Sequence, residues 1–200
     1  MTNKIVERIQ RQAGDEELVE KLASRLSASD LQSLLMEVYR RRAEALAPRN
    51  LVEQYGRDLF VQPSAACAVE MLEFDRLAYS LLPEGFRPIE LSPLAPLGNC
   101  SVVSPLSQNM AIPTIRNTEV CSDSTNVLAL ECARRRKQLQ QNDPRSTKRI
   151  RLCASQRLVR PQRFDAPGTF QHFRLFGLCS AGRDEGSFRF ETDVLAEQIG

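Results

Sequence analysis

Arg160, Gln162, His172 and Phe176 are the residues of this chain best suited to act on one ligand together, and His172 is the only histidine among its 200 residues. A guanidinium holds a phosphate oxygen bidentately, an imidazole can reach a more distal phosphate, and an aromatic ring four residues further on can stack on a purine. Gln162 adds a carbonyl that accepts from a base amino group, without the charge of a carboxylate. The set suits a nucleoside triphosphate.

Whether these groups converge depends on the strands that carry them. Residues 150–159 and 170–179 alternate apolar and polar side chains as two antiparallel strands do. Between them, Asp165-Ala166-Pro167-Gly168 contains a turn-forming Pro-Gly pair. The hairpin is expected to bring Arg160 and His172 to its mouth, facing one another as a phosphate clamp requires. The same residues also fit a surface hairpin with a scattered arginine and histidine, and the spacing does not separate the two readings.

Upstream, residues 111–116 alternate as a strand, and Asp123 or Ser124 stands where it can cap a helix containing Val127, Leu128, Leu130 and Cys132. Carboxylates and hydroxyls at a helix start either satisfy free backbone donors or face a pocket and bind a substrate amine. On the second reading Glu119, Asp123 and Thr125 are the substrate-side residues. The helix is expected to end in Arg134-Arg135-Arg136-Lys137, with a loop over 138–148. From Arg134 to Arg163 eleven cations stand against one acid, Asp143. Such a stretch attracts phosphates by a salt-dependent force; a solvated helix end and loop are the alternative.

The first part of the chain reads as helical. Ile5, Val6 and Ile9 begin one amphipathic stretch, and Leu18, Val19, Leu22 and Leu26 mark a second. Ser29 with Gln32 forms a capping box for a third, which carries Leu31, Leu34, Leu35 and Val38 and ends in Arg40-Arg41-Arg42 against the negative helix pole. This is either a small helical bundle or an RNA-contacting arm. A further helix is expected around Val69, Met71, Leu72 and Leu77. In 89–98, Pro93 and Pro96 exclude a central strand and favour a loop or sheet edge. Near the end, Gly182–Gly186 makes a turn in which Arg183 pairs with Asp184 or Glu185, before a helix holding Val194, Leu195 and Ile199.

At 42% apolar and 26% charged residues, the chain can bury the core of one domain with an appendage. A net charge of +2 is too mild to mark a nucleic-acid binder. No run approaches the roughly 18 apolar residues of a membrane span, and Met1-Thr2-Asn3-Lys4 opens no signal-peptide core, so the expectation is a cytoplasmic protein without a membrane partner. The six cysteines form no Cys-x-x-Cys pair and read as buried free thiols rather than disulfides, metal ligands or a nucleophile.

Arg160, Gln162, His172 and Phe176 together resemble motif 2 of the class II aminoacyl-tRNA synthetase catalytic domain, with Val159 where an aromatic is usual and Gln162 in place of a glutamate. The segment Arg116–Glu131 is similar to the strand, loop and helix before motif 2 in the histidyl-like branch. The resemblance covers roughly the second half of the chain. It implies an α/β fold of the α+β type, an antiparallel sheet flanked by helices, with an N-terminal helical segment at 1–48 and a catalytic-type domain at 49–200. The glycine-rich motif 3 is not visible, so that domain is expected to be incomplete at its C-terminus.

The same resemblance implies ATP and Mg2+ as cofactors. Arg160, the catalytic residue, would stand at the α-phosphate, His172 towards the γ-phosphate, Phe176 under the adenine, and Glu191 would be the metal ligand. Glu119, Asp123 and Thr125 would hold a small carboxylate substrate. It further implies a homodimer built around Pro93 or Pro96, and tRNA as a conceivable partner. Two functions follow: an enzyme that activates an amino acid or other carboxylate as its adenylate, or a non-catalytic regulatory or binding subunit.

Overall fold

The computed structural model describes residues 3–162 and 170–199. The expected Asp165–Gly168 turn lies outside them. The chain divides after Val52: one unit holds the residues up to Val52 with Ile115–Asn117, the other Glu53–Thr114 and the residues from Thr118 on.

In the first unit, α1 (Lys4–Ala13) starts at Asn3, whose side chain accepts from the Ile5 amide, and stops at Gly14 in the left-handed conformation. A short α2 (Leu18–Glu20) runs into a π-turn at Lys21–Arg25. The cap of α3 (Ala28–Glu44) is Ser27 rather than Ser29: its Oγ accepts from the Asp30 amide at 3.1 Å. The expected capping box is therefore displaced, because Ser27 holds the extended backbone that a cap needs while Ser29 is already helical. Arg40 bridges Glu37 and Glu44, and Arg41 also pairs with Glu37. α4 (Pro48–Tyr55) follows, and none of α1–α4 has a buried residue. Ile5, Ile9, Leu34 and Val38 stay exposed, so the expected bundle closes no core of its own.

The second unit is a mixed α/β arrangement of two small sheets with helices. After α5 (Ala68–Ser80) come the short strands β1 (Arg87–Pro88), β2 (Leu94–Pro96), β3 (Ile112–Pro113) and β4 (Thr118–Val120). Then follow α6 (Ser124–Asn142), the long strands β5 (Ile150–Val159) and β6 (His172–Ala181), and α7 (Arg189–Ile199). The mostly antiparallel strands form two small sheets, ordered β1-β5-β6 and β2-β4-β3, with β1 running parallel to β5. The proline-bearing β1, β2 and β3 all lie at sheet edges, where a residue without an N–H breaks no ladder.

The β5–β6 hairpin positions everything that follows. Its register pairs Ile150 with Ala181 and Val159 with His172. Side chains alternate between faces, so even-numbered residues of β5 point one way and odd-numbered ones the other. On the even face Ile150, Leu152 and Ala154 pack with Leu128 and Cys132 of α6 and with Leu91. Leu128 and Leu152 are fully buried, and each contributes about 1.5–3 kcal/mol of hydrophobic stabilisation. Gly177 permits this approach, since a Cβ there would lie 3.2 Å from Ser124 Oγ and 3.4 Å from Leu128 Cδ1.

α6 runs on to Asn142 rather than ending at Lys137, because no breaker intervenes before Pro144. The loop after it is anchored: buried Arg136 donates to the carbonyls of Lys148 at 3.0 Å and Ser146 at 3.5 Å. α7 is held by ion pairs to β5 and the residue before it. Arg149 reaches Glu185, Asp193 and Glu197, and Arg151 pairs with Glu197. Glu185 thus belongs to Arg149 and not to Arg183.

Candidate functional site

The odd face of the hairpin gathers a polar cluster that begins with Ser155. Its amide donates to Tyr79 Oη at 3.0 Å and its hydroxyl to Asp75 Oδ1 at 2.5 Å. Asp75 Oδ2 accepts from Arg174 Nη1 at 2.7 Å. Burial pushes the Tyr79 phenol up from its ordinary pKa. At the open end of this face, Arg157 donates from Nη2 and Nε to Nδ1 of His172, at 2.7 and 3.2 Å. The other ring nitrogen, Nε2, donates to the Gln62 carbonyl at 2.6 Å. These partners select the tautomer with its proton on Nε2. Beside them lies a cavity of about 330 Å³ lined by Arg157, His172, Arg174, Phe74, Phe170 and Phe173, among others.

Arg160 stands elsewhere. It follows Val159, the partner of His172, so its own cross-strand neighbour is Gln171, whose carbonyl accepts from the Arg160 amide at 3.0 Å. One step in register is one change of face. Arg160 and His172 therefore lie on opposite faces of the hairpin and do not form the expected clamp. The guanidinium of Arg160 donates to the Ser122 carbonyl at 3.0 Å and to Asp123 Oδ2 at 3.3 Å, and stacks over Phe173 at 5.1 Å. Arg160, Gln162, Ser122 and Asp123 line a second cavity of about 400 Å³ with Cys100, Leu106 and Met110. The buried Oγ of Ser122 and Oε1 of Gln162 have no hydrogen-bond partner among the described residues.

The remaining sequence-derived residues scatter. Glu119 is fully buried and accepts from the amides of Gly98 and Cys100 and from Gln108 Nε2, at 3.0, 2.8 and 2.6 Å. It holds the turn at Asn99–Val103. Asp123 is the cap of α6: Oδ1 accepts from the amide and hydroxyl of Thr125. Thr125 is exposed and engaged with that cap. Phe176 sits on the odd face with its ring edge-on to Tyr79, centroids 5.2 Å apart, away from both cavities. Glu191 is exposed in the first turn of α7. Among the described residues no three His, Cys, Asp or Glu side chains converge as metal ligands.

Several cations of the basic stretch are neutralised by acids from outside it. Glu131 takes Arg134 and Arg135, which hold its carboxyl at a pKa of about 2; Asp123 takes Arg160, and the acids beside and on α7 take Arg149 and Arg151. Sequence reasoning missed Arg157, Arg174, Asp75 and Tyr79. The two arginines were within reach, since they share the odd face with His172, but Asp75 and Tyr79 come from a helix about 80 residues away in sequence.

No protein-family model matches the sequence, and no curated protein matches it. Among solved structures, the chain is similar to an ATP phosphoribosyltransferase regulatory subunit/histidyl-tRNA synthetase from Bacillus halodurans, with 22% identity and a TM-score of 0.40 over 65% of this chain and 30% of that one. It is likewise similar to histidyl-tRNA synthetase from Nostoc sp. PCC 7120, with 21% identity and a TM-score of 0.43 over 70% of this chain and 33% of that one. The chain spans about a third of the length of either protein. Among the described residues no helix is long and apolar enough to cross a membrane.

Proposed function

We propose that this is a class II synthetase-like protein that binds ATP as a regulatory or binding subunit, with the nucleotide in the odd-face cavity. The observation that carries this is the charge state of that cavity's wall. Among the described residues Arg157 has only neutral partners, His172 and Ser64, and no carboxylate lines the space. A phosphate supplies the missing negative charge, while Phe74 and Phe170 offer apolar and aromatic surface to a base. The volume lies at the lower end of the range for small-molecule sites, roughly 300–1,000 Å³.

The regulatory reading is preferred to adenylation because Arg160 and His172 stand on opposite faces. A nucleotide held by one does not touch the other, and the substrate-side residue that lines a cavity, Asp123, is paired with Arg160. Mg2+ would enter on the nucleotide's own phosphates, as no protein ligand set is present among the described residues. By resemblance the protein would be a homodimer through the segment around Pro93 and Pro96; β2 is a sheet edge with Leu94 and Leu97 exposed. Titration calorimetry with ATP, followed by amino-acid-dependent pyrophosphate exchange, tests the reading. Binding without exchange is expected. Exchange with any amino acid would establish adenylation instead, and absence of ATP binding would overturn the assignment.

A further inference from the structure

We propose that a third cavity, between the C-terminal half of α6 and the start of β5, binds a phosphorylated small molecule through Arg87, Arg135 and Lys148. The cavity measures about 390 Å³, and its wall includes Arg87, Arg135, Lys148, Arg149 and Arg151, the amides of Gln138 and Asn142, and no carboxylate. It lies on neither of the two sites described above and shares no lining residue with them.

The donors facing this space are not used up by the fold. Arg149 and Arg151 are committed to acids of the α7 region through most of their nitrogens, but Arg151 Nη1 is turned towards Gly85, 3.6 Å from where a Cβ would stand. Arg135 spends its Nε on Glu131, a carboxylate it shares with Arg134. The side chains of Arg87 and Lys148 have no acidic partner among the described residues. Pairing with Glu131 within α6 explains Arg134. It does not explain Arg87, which comes from β1, or Lys148, which comes from the loop.

The rim is also built. Buried Arg136 fixes the carbonyls of Ser146 and Lys148, so Lys148 is presented from a held segment rather than a free loop. Cations that converge on a concave wall without a counter-charge raise the local concentration of anions, and guanidinium forks match the oxygens of a phosphate. Leu139, partly buried at the same wall, gives an organic body an apolar surface. A concave site of this size suits a small phosphate ester, and Arg134 and Arg160 elsewhere in the basic stretch are already paired with acids.

The test is calorimetric titration of the full chain with inorganic pyrophosphate, and in parallel with a single-stranded oligoribonucleotide, at two salt concentrations. The variants are Arg87→Ala/Lys148→Ala, both exposed positions, and Arg157→Ala as the control for the nucleotide site; circular dichroism verifies folding of each. Saturable binding that falls roughly tenfold in the double variant and is retained in Arg157→Ala is expected, as loss of charge-assisted hydrogen bonds predicts. Pyrophosphate affinity unchanged in the double variant, or no saturable binding to the wild type, would overturn the proposal. Tighter binding of the oligoribonucleotide through the same two residues would overturn it in favour of RNA. Because the readout is independent of Arg157, failure here leaves the ATP reading standing, and the reverse.

Discussion

Arg157 and His172 are locked together across the hairpin, with two guanidinium donors on Nδ1 at 2.7 and 3.2 Å and the Gln62 carbonyl on Nε2 at 2.6 Å. Since His172 is the one histidine in the chain, its imidazole nitrogens can be read without assignment ambiguity. Long-range proton–nitrogen NMR is expected to show the tautomer protonated on Nε2. His172→Ala leaves the carbonyl and the guanidinium without their partner and should cost about 1–3 kcal/mol in denaturant unfolding. An Nδ1–H signal would contradict the geometry.

The two arginines near the hairpin mouth separate the faces. Arg157→Ala is expected to weaken ATP binding about tenfold or more, in line with the loss of a charge-assisted contact, while Arg160→Ala leaves it nearly unchanged. Calorimetry decides between them, and the opposite order would move the nucleotide to the Asp123 side.

Glu119 serves the fold. Glu119→Gln keeps the volume but turns an amino group towards donors that now meet a carboxylate, so unfolding should be easier by about 2–3 kcal/mol. ATP affinity of the folded variant should not move.

Acid should loosen α7 first. Arg151 holds the Glu197 carboxyl below its ordinary value of 4.5. Stability from this pair is therefore complete above pH 4.5 and is lost as pH falls through the lower, folded-state value. Thermal melting between pH 6 and 3 should show a loss in the wild type that is smaller in Glu197→Gln. The two proteins should converge at the acid end.

The thiols provide a map of burial. Cys67 is exposed, whereas Cys100, Cys121, Cys132 and Cys153 are buried, and burial pushes the Cys121 thiol up to about 11. Thiolate is the reactive form, so mass spectrometry after brief alkylation of the native protein should find the label on Cys67, with the buried four reacting only on unfolding.

The local elements were legible in the residues themselves. Alternation over 150–159 marks a strand that the structure reproduces residue for residue, Asp123 caps α6 because its side chain reaches the Thr125 amide two residues on, and the prolines of 87–96 confine their strands to edges. These outcomes depend on forces that act within a few residues. The register of β6 on β5 does not: shifting it by one position would have put His172 on the face of Arg160, and that choice is made by Leu128 and Cys132 burying the even face. The partners of the cations were equally out of reach, since Asp75, Glu185 and Glu197 stand 36–99 residues from the arginines they meet. The residue types by themselves determined which groups can bind phosphate. Tertiary packing alone decided that Arg160 turns to Asp123 and His172 to Arg157, because a side chain's face is set by what its strand buries.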